Sequence, residues 1–235
     1  MQRVVAITGG FGTLGRAVGS AFAADGWKVA LLDHAPAPDA ASSAESSAES
    51  DRQMRSGGVD LTDLAAARLA MSSVVERLGP LNALINVAGG FRWETLADGE
   101  LDTWDLMYRM NVRTAATASK AALEHFGDSP EGGRIVNIAA GAALRASAGM
   151  GAYAASKSGV MRLTEALADE LKDRGITVNA ILPGTIDTPQ NRADMPDADF
   201  SRWVQPADIA AVIVFLTSRA ASAVTGALIP VTGRT

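Results

Sequence analysis

The chain has 235 residues, 48% of them apolar and 20% charged, with a net charge of −5 and no cysteine. That balance predicts one soluble globular domain with a sizeable core, and it excludes disulfides, thiolate catalysis and cysteine-built metal sites. A net negative chain offers no basic surface for nucleic acid. No apolar run reaches the roughly 18 residues of a membrane span, so a cytoplasmic protein with no nucleic-acid or membrane partner is expected. His34 and His125 stand far apart, outside any ligand spacing, and no metal site is expected.

Residues 3–8 are a short β-branched apolar run, read as a buried strand. They lead into Thr8-Gly9-Gly10-Phe11-Gly12-Thr13-Leu14-Gly15 and then a helical pattern to Ala24. Strand, glycine-rich turn and helix in that order make a phosphate cradle. Glycines let backbone approach a pyrophosphate, and a helix N-terminus offers N–H groups and the positive end of its dipole. Dinucleotide binding is therefore expected at Gly9, Phe11, Gly12, Thr13, Leu14 and Gly15. A second strand over 26–33 ends in Asp33, 18 residues past Gly15, where a carboxylate accepts hydrogen bonds from an adenosine ribose. The same carboxylate repels a 2′-phosphate, and no Arg or Lys lies between Gly9 and Gly15 to receive one, so NADH is expected rather than NADPH.

Residues 35–56 are rich in Ala, Pro, Ser and Glu, with Ser-Ser-Ala-Glu repeated from Ser42 and from Ser46. They read as a mobile connection or frayed helix without chemistry. Residues 59–63 end a third strand and cap a helix to about Leu78, with Asp60 either a capping acid or a contact to the adenine edge. Residues 81–87 are a fourth strand, followed by Ala88-Gly89-Gly90, small enough to let backbone lie against a cofactor. Phe91 and Trp93 then either stack on a planar substrate or pack down on the core.

Residues 101–126 read as a helix with Asn111 in its middle, a poor helix former that suggests a local hydrogen-bonding role. A fifth strand spans 134–138 and a helix spans 151–174. That helix carries Tyr153 and Lys157, which share one face because they lie four residues apart. A nearby cation favours phenolate, so Lys157 is expected to lower the tyrosine pKa from about 10 toward a working value. A tyrosine so tuned donates a proton to oxygen or nitrogen while hydride arrives from elsewhere.

A sixth strand over 176–182 ends at Pro183-Gly184-Thr185-Ile186-Asp187-Thr188-Pro189. Residues 190–204 are polar, with Trp203 near their end, and read as a flap. A helix from Pro206 to about Thr217 and a last strand over 228–231 complete the chain. The alternation predicts an α/β fold, a parallel sheet with helices on both faces and ligands outside the C-terminal strand ends. Alanine on more than one helix face suggests a homodimer or homotetramer.

With Thr8–Gly15, Asp33, Asp60-Leu61, Asn86-Val87-Ala88-Gly89, Asn111, Tyr153–Lys157 and Pro183–Thr188 in this order, the sequence resembles the short-chain dehydrogenase/reductase family over essentially its full length. The resemblance implies a single Rossmann-type, doubly wound domain over 1–235, a nicotinamide cofactor and a small-molecule substrate. It implies Tyr153 as acid/base, Lys157 holding the nicotinamide ribose, and Asn111 positioning a helix kink and a relay water. It also implies cofactor contacts from Asp60, Leu61, Val87, Ala88, Gly89, Pro183, Gly184, Ile186 and Thr188.

Three positions depart from the family pattern. Thr13 replaces the middle glycine, Val87 replaces the second Asn of Asn-Asn-Ala-Gly, and Ala140 stands where the catalytic serine is expected. Ala139 brings no hydroxyl either, and Ser147 reads as a loop residue. A substrate carbonyl would lose one donor to its developing oxyanion, worth about 2.7–4 kcal/mol in an oxyanion hole. These departures are similar to the quinonoid dihydropteridine reductase branch. So is the run through Asp187-Thr188-Pro189, Asn191-Arg192, Met195-Pro196, Ala198-Asp199-Phe200-Ser201 and Trp203. That branch implies NADH-dependent reduction of a planar quinonoid acceptor, with Phe91, Ala140 and Trp203 bordering the substrate. The alternatives are a ketone/alcohol oxidoreductase with another donor in place of the serine, and a non-catalytic dinucleotide-binding redox sensor.

Overall fold

Strand β1 (Val4–Thr8) is buried at every position, which is why its sequence shows a continuous apolar run instead of alternation. The computed structural model, which describes residues 2–38, 51–127 and 132–234, places it inside a seven-stranded sheet of order β3-β2-β1-β4-β5-β6-β7. The other strands are β2 (Lys28–Leu32), β3 (Gln53–Ser56), β4 (Ala83–Asn86), β5 (Arg134–Ile138), β6 (Thr177–Pro183) and β7 (Leu228–Val231). All pairings are parallel, with Val5 opposite Val29 on one side and Ala83 on the other.

The helices are α1 (Thr13–Ala24), α2 (Leu64–Leu78), α3 (Asp102–Met107), α4 (Thr114–Ala122), α5 (Gly151–Leu171), α6 (Pro189–Asp194) and α7 (Pro206–Thr217). One face of the sheet buries Ala6, Leu32, Leu84, Ile135 and Val178 against α2, α4 and the end of α5. The other buries Ile7, Val29, Ile85 and Val136 against Val18 and Phe22 of α1 and Ile209 and Ile213 of α7. This is the predicted doubly wound α/β sheet. Because the chain winds outward from β1 to β3 and then returns to β4, the strand order reverses between β1 and β4. A crevice opens there outside the strand ends.

Two elements differ from the sequence reading. The third strand is Gln53–Ser56, not a segment ending at 59; Gly58 turns the chain with φ of +71°, and Val59 N–H donates to Asp33 O at 3.0 Å. An edge strand with only Met54 buried leaves no apolar pattern to read. The expected helix over 101–126 is α3 and α4 joined through a π-helical segment, Tyr108–Arg113, and it ends at Ala122. Of the connection expected over 35–56, residues 39–50 lie outside the described residues. No helix among the described residues is long and apolar enough to cross a membrane.

Candidate active site

The glycine turn after β1 is shaped by close backbone contacts. A Cβ on Gly9, whose φ is +63°, would sit 2.8 Å from Ala88 N, and one on Gly15 would sit 2.1 Å from Gly9 O. The first turn of α1 therefore lies directly on the loop, and the loop on the turn after β4. Thr8 Oγ1 reinforces that junction by accepting from Ala88 N–H at 3.1 Å. Gly12 is the N-cap of α1 and supplies no side-chain cap, so the first-turn N–H groups of Thr13, Leu14 and Gly15 have no helical partner. A cradle of uncapped amides lined by glycine fits a dinucleotide pyrophosphate.

Asp33, just past β2, accepts from Phe11 N–H at 2.8 Å and Ala35 N–H at 3.0 Å. Its carboxylate thus holds the glycine loop in place while keeping lone pairs for ribose hydroxyls. Arg16 donates from its guanidinium to Phe11 O. Arg16 lies just past the Gly9–Gly15 stretch in sequence, and one turn of α1 brings it back over the loop. Asp60 closes a turn by accepting from Thr62 N–H and Oγ1–H, and that hydroxyl bond holds its carboxyl below the usual range. The cap of α2 is Asp63, which accepts from Ala66 N–H at 2.8 Å. Leu61 is buried beside this turn.

On the other side of the crevice, Tyr153 lies in the first turn of α5 with Lys157 one turn on. The Lys157 ammonium is 6.0 Å from the phenol ring centroid and donates to Ile138 O at 2.9 Å. Burial pushes the Tyr153 pKa up to about 12 and the Lys157 pKa down to about 8. The expected lowering of the tyrosine is therefore corrected: loss of solvent around the phenol outweighs an ammonium tied to the β5 carbonyl. At neutral pH Tyr153 holds its proton.

Asn111 sits at the centre of the π-helical segment and is 1% exposed. Its Oδ1 accepts from Gly90 N–H at 3.0 Å, and its Nδ2 donates to Gly90 O at 3.1 Å and to Ser156 Oγ at 2.9 Å. Ser156 in turn donates to Tyr153 O at 2.7 Å. This chain ties the turn after β4 to the backbone of the tyrosine, and a Cβ on Gly89 would collide with Asn111 Oδ1 at 2.5 Å. Sequence reasoning singled out Asn111 but not Ser156. Removing the amide by Asn111→Ala breaks three hydrogen bonds, two to the half-buried Gly90 backbone and one to the buried Ser156 hydroxyl. It is expected to lower stability by about 2–4 kcal/mol, read by urea denaturation.

The residues expected to border a substrate are Ala140, Phe91 and, in the segment after β6, Trp203. Ala140 is 6% exposed, extended (φ −163°, ψ 152°), and begins a 3₁₀ turn with no side-chain cap. The Phe91 ring meets Tyr153 edge-on, centroids 4.9 Å apart. Trp203 is buried with its ring 4.7 Å from Phe200, so of the two aromatics only Phe91 pairs exposed surface with a contact to Tyr153. Pro183 ends β6, Gly184 N–H donates to Val231 O, and Ile186 bridges Val204. Thr188 caps α6 by accepting from Asn191 N–H at 3.1 Å. Asp187 accepts two bonds from Arg192 and one from Gln205, which hold its pKa near about 2. Arg192 also lies over the Phe200 ring, so the polar flap is tied back on itself. No group of three or more His, Cys, Asp or Glu among the described residues is placed to hold a metal ion.

The crevice, its glycine cradle and the Tyr153–Lys157 turn coincide with a family profile described as short chain dehydrogenase, which matches residues 3–199. The chain belongs to the short-chain dehydrogenase/reductase family. It is 34% identical to 2-(S)-hydroxypropyl-CoM dehydrogenase 3 of Xanthobacter autotrophicus, over 99% of this chain and 96% of the relative. It is 31% identical to acetoacetyl-CoA reductase of Allochromatium vinosum, over 99% of this chain and 98% of the relative. Among solved structures, a blue fluorescent protein from a metagenomic library, in complex with NADPH, superposes with a TM-score of 0.83 at 34% identity, covering 99% of this chain and 97% of that one. The protein is thus an NAD(P)-dependent short-chain oxidoreductase acting on a small molecule. Neither named relative is a pterin reductase.

Proposed function

We propose that this enzyme uses NADH to reduce a planar conjugated acceptor, with quinonoid dihydropteridine as the candidate, and that Tyr153 delivers the proton. The observation that carries this reading is a half-buried Tyr153 whose pKa desolvation pushes up to about 12, together with a buried Ala140 at the position where the family pattern has its serine. Reduction of a simple ketone puts a full negative charge on one oxygen, where a second donor is worth about 2.7–4 kcal/mol. A conjugated imine spreads that charge, so one proton donor suffices.

In this reading Gly9, Phe11, Gly12, Thr13, Leu14 and Gly15 hold the pyrophosphate, and Asp33 accepts from the adenosine ribose and disfavours a 2′-phosphate. Asp60 and Leu61 border the adenine. Val87, Ala88, Gly89, Pro183, Gly184, Ile186 and Thr188 line the nicotinamide half, whose ribose Lys157 holds. Bound NADH supplies the hydride. Asn111 keeps Tyr153 in register through Ser156, while Phe91 and Ala140 border the acceptor and Trp203, packed on Phe200, supports the flap behind them. The reading takes residues 1–235 as one domain of a cytoplasmic homodimer or homotetramer. A redox sensor would have no use for the Tyr153, Lys157 and Asn111 set.

The relatives favour a second reading, in which the acceptor is a ketone and another donor replaces the serine, since both carry names of hydroxyl or keto chemistry. Ala140→Ser separates the two. For a conjugated acceptor the added hydroxyl leaves pterin turnover within a few-fold. Ketone turnover already present in the parent and changed only a few-fold in Ala140→Ser, because another donor fills the serine's place, supports the second reading. A gain of about 100-fold or more marks an oxyanion donor missing from the parent, as the first reading requires.

A further inference from the structure

Trp93 is 59% exposed yet fixed in place. Its indole N–H donates to Ala148 O at 3.1 Å, and the next residue, Glu94, donates its N–H to Gly149 O at 2.8 Å. Gly149 has a φ of +74°, and a Cβ there would fall 2.2 Å from Trp93 Cε2 and 2.3 Å from Nε1. Only a glycine therefore seats the indole, which is packed against backbone on one side and bare on the other. Phe91, two residues earlier and 55% exposed, meets the Tyr153 ring edge-on. In a chain with only 5% aromatic residues, one exposed ring on Tyr153 and a second held against the Ala148-Gly149 segment that leads into the tyrosine's helix point to a ligand.

We propose that Trp93 is a stacking platform for the part of a planar heteroaromatic substrate that lies beyond Tyr153, and that Gly149 is its seat. The inference rests on the reading of Tyr153 as the proton donor, because that contact fixes where the reacting atoms lie. A substrate whose reacting ring meets Tyr153 runs outward past Phe91 to the exposed indole. Because hydrogen bonds already hold the loop on both sides of Gly149, little side-chain freedom is lost on stacking. Such ring contacts favour flat, conjugated ligands over saturated ones.

The test is calorimetric titration of the full chain with oxidised pterin, which is flat and needs no turnover to bind. Trp93→Ala is expected to weaken binding about tenfold, Trp93→Phe to restore most of it, and Tyr153→Phe to leave it within a few-fold. Sizing chromatography of the parent and Trp93→Ala should give one elution volume. Pterin binding unchanged in Trp93→Ala, or absent from the parent, overturns the platform. So does a change of association state in Trp93→Ala, which makes this face an interface between copies. Full turnover by Tyr153→Phe with pterin binding lost in Trp93→Ala removes the proton donor and leaves the platform standing.

Discussion

Lys157→Met is expected to lose turnover and yet to be more stable than the parent at pH 7. Lys157 is 6% exposed, and burial lowers its pKa from 10.5 to about 8. Below pH 8 the ammonium is charged in both the folded and unfolded chain, and the folded state carries the whole desolvation penalty, about 3 kcal/mol. Methionine removes that penalty and gives up the bond to Ile138 O, worth about 1 kcal/mol, leaving a net gain of about 2 kcal/mol. The pH dependence checks the cause. Between about 8 and 10.5 the unfolded chain holds more protons than the folded one at this site, so parent stability rises with pH across that window. Tyr153, raised from 10.0 to about 12, acts with the opposite sign, and its contribution falls away only above pH 10. Urea denaturation at pH 7 and pH 9.5 should show the parent closing on Lys157→Met as pH rises. A variant less stable than the parent at both values contradicts the assignment.

The second large effect is expected from Gly15→Ala. The added methyl meets Gly9 O at 2.1 Å and Gly10 Cα at 2.8 Å, and both are backbone atoms with no flexible side chain to yield. Either α1 moves off the loop or the loop moves off the crevice, and in both cases the first-turn amides lose their aim. NADH affinity should fall about 100-fold or more, equivalent to roughly 3 kcal/mol, with stability lower by about 1–3 kcal/mol. Gly12→Ala is the control for the fold alone, because its nearest neighbour, Gly9 O, lies 3.4 Å away, an ordinary contact, and its stability in urea should stay close to the parent's. Titration of NADH into Gly15→Ala and the parent reads the loss of affinity. Equal affinities in Gly15→Ala and the parent would mean that the cradle is not where the pyrophosphate binds.

What the sequence displayed and what it hid have physical reasons. Strands β1, β2, β4, β5 and β6 were legible because the sheet is covered on both faces, which gives each a short run made mostly of apolar residues, with buried Asn86, Asn137 and Asn179 as polar exceptions. The glycine loop was legible because its contacts are too close for any side chain. By contrast β3 buries a single side chain, and its sequence, Gln-Met-Arg-Ser, carries no periodic signal. The π-helical segment was hidden because its cause is tertiary: Asn111 is held by Gly90, distant in the chain, as well as by Ser156. Asn in a helix was nonetheless the signal that something was needed there. The tyrosine pKa was misjudged for a related reason, since a four-residue spacing reports that Lys157 is near but not how far the phenol is desolvated. Arg16 escaped because a window drawn along the loop ignores the helical turn that folds back over it.

The central claim is that Tyr153 protonates a planar acceptor in a site with no serine hydroxyl. The most direct measurement is the initial rate of NADH consumption with chemically generated quinonoid dihydropterin, beside a panel of simple ketones and with NADPH in parallel. Parent and Tyr153→Phe would be compared, with the uncatalysed reduction subtracted. Fast pterin reduction that prefers NADH, falls about 100-fold or more in Tyr153→Phe and exceeds every ketone rate is the predicted result. Pterin rates no greater than the uncatalysed reaction, with a ketone turned over in its place, would contradict it.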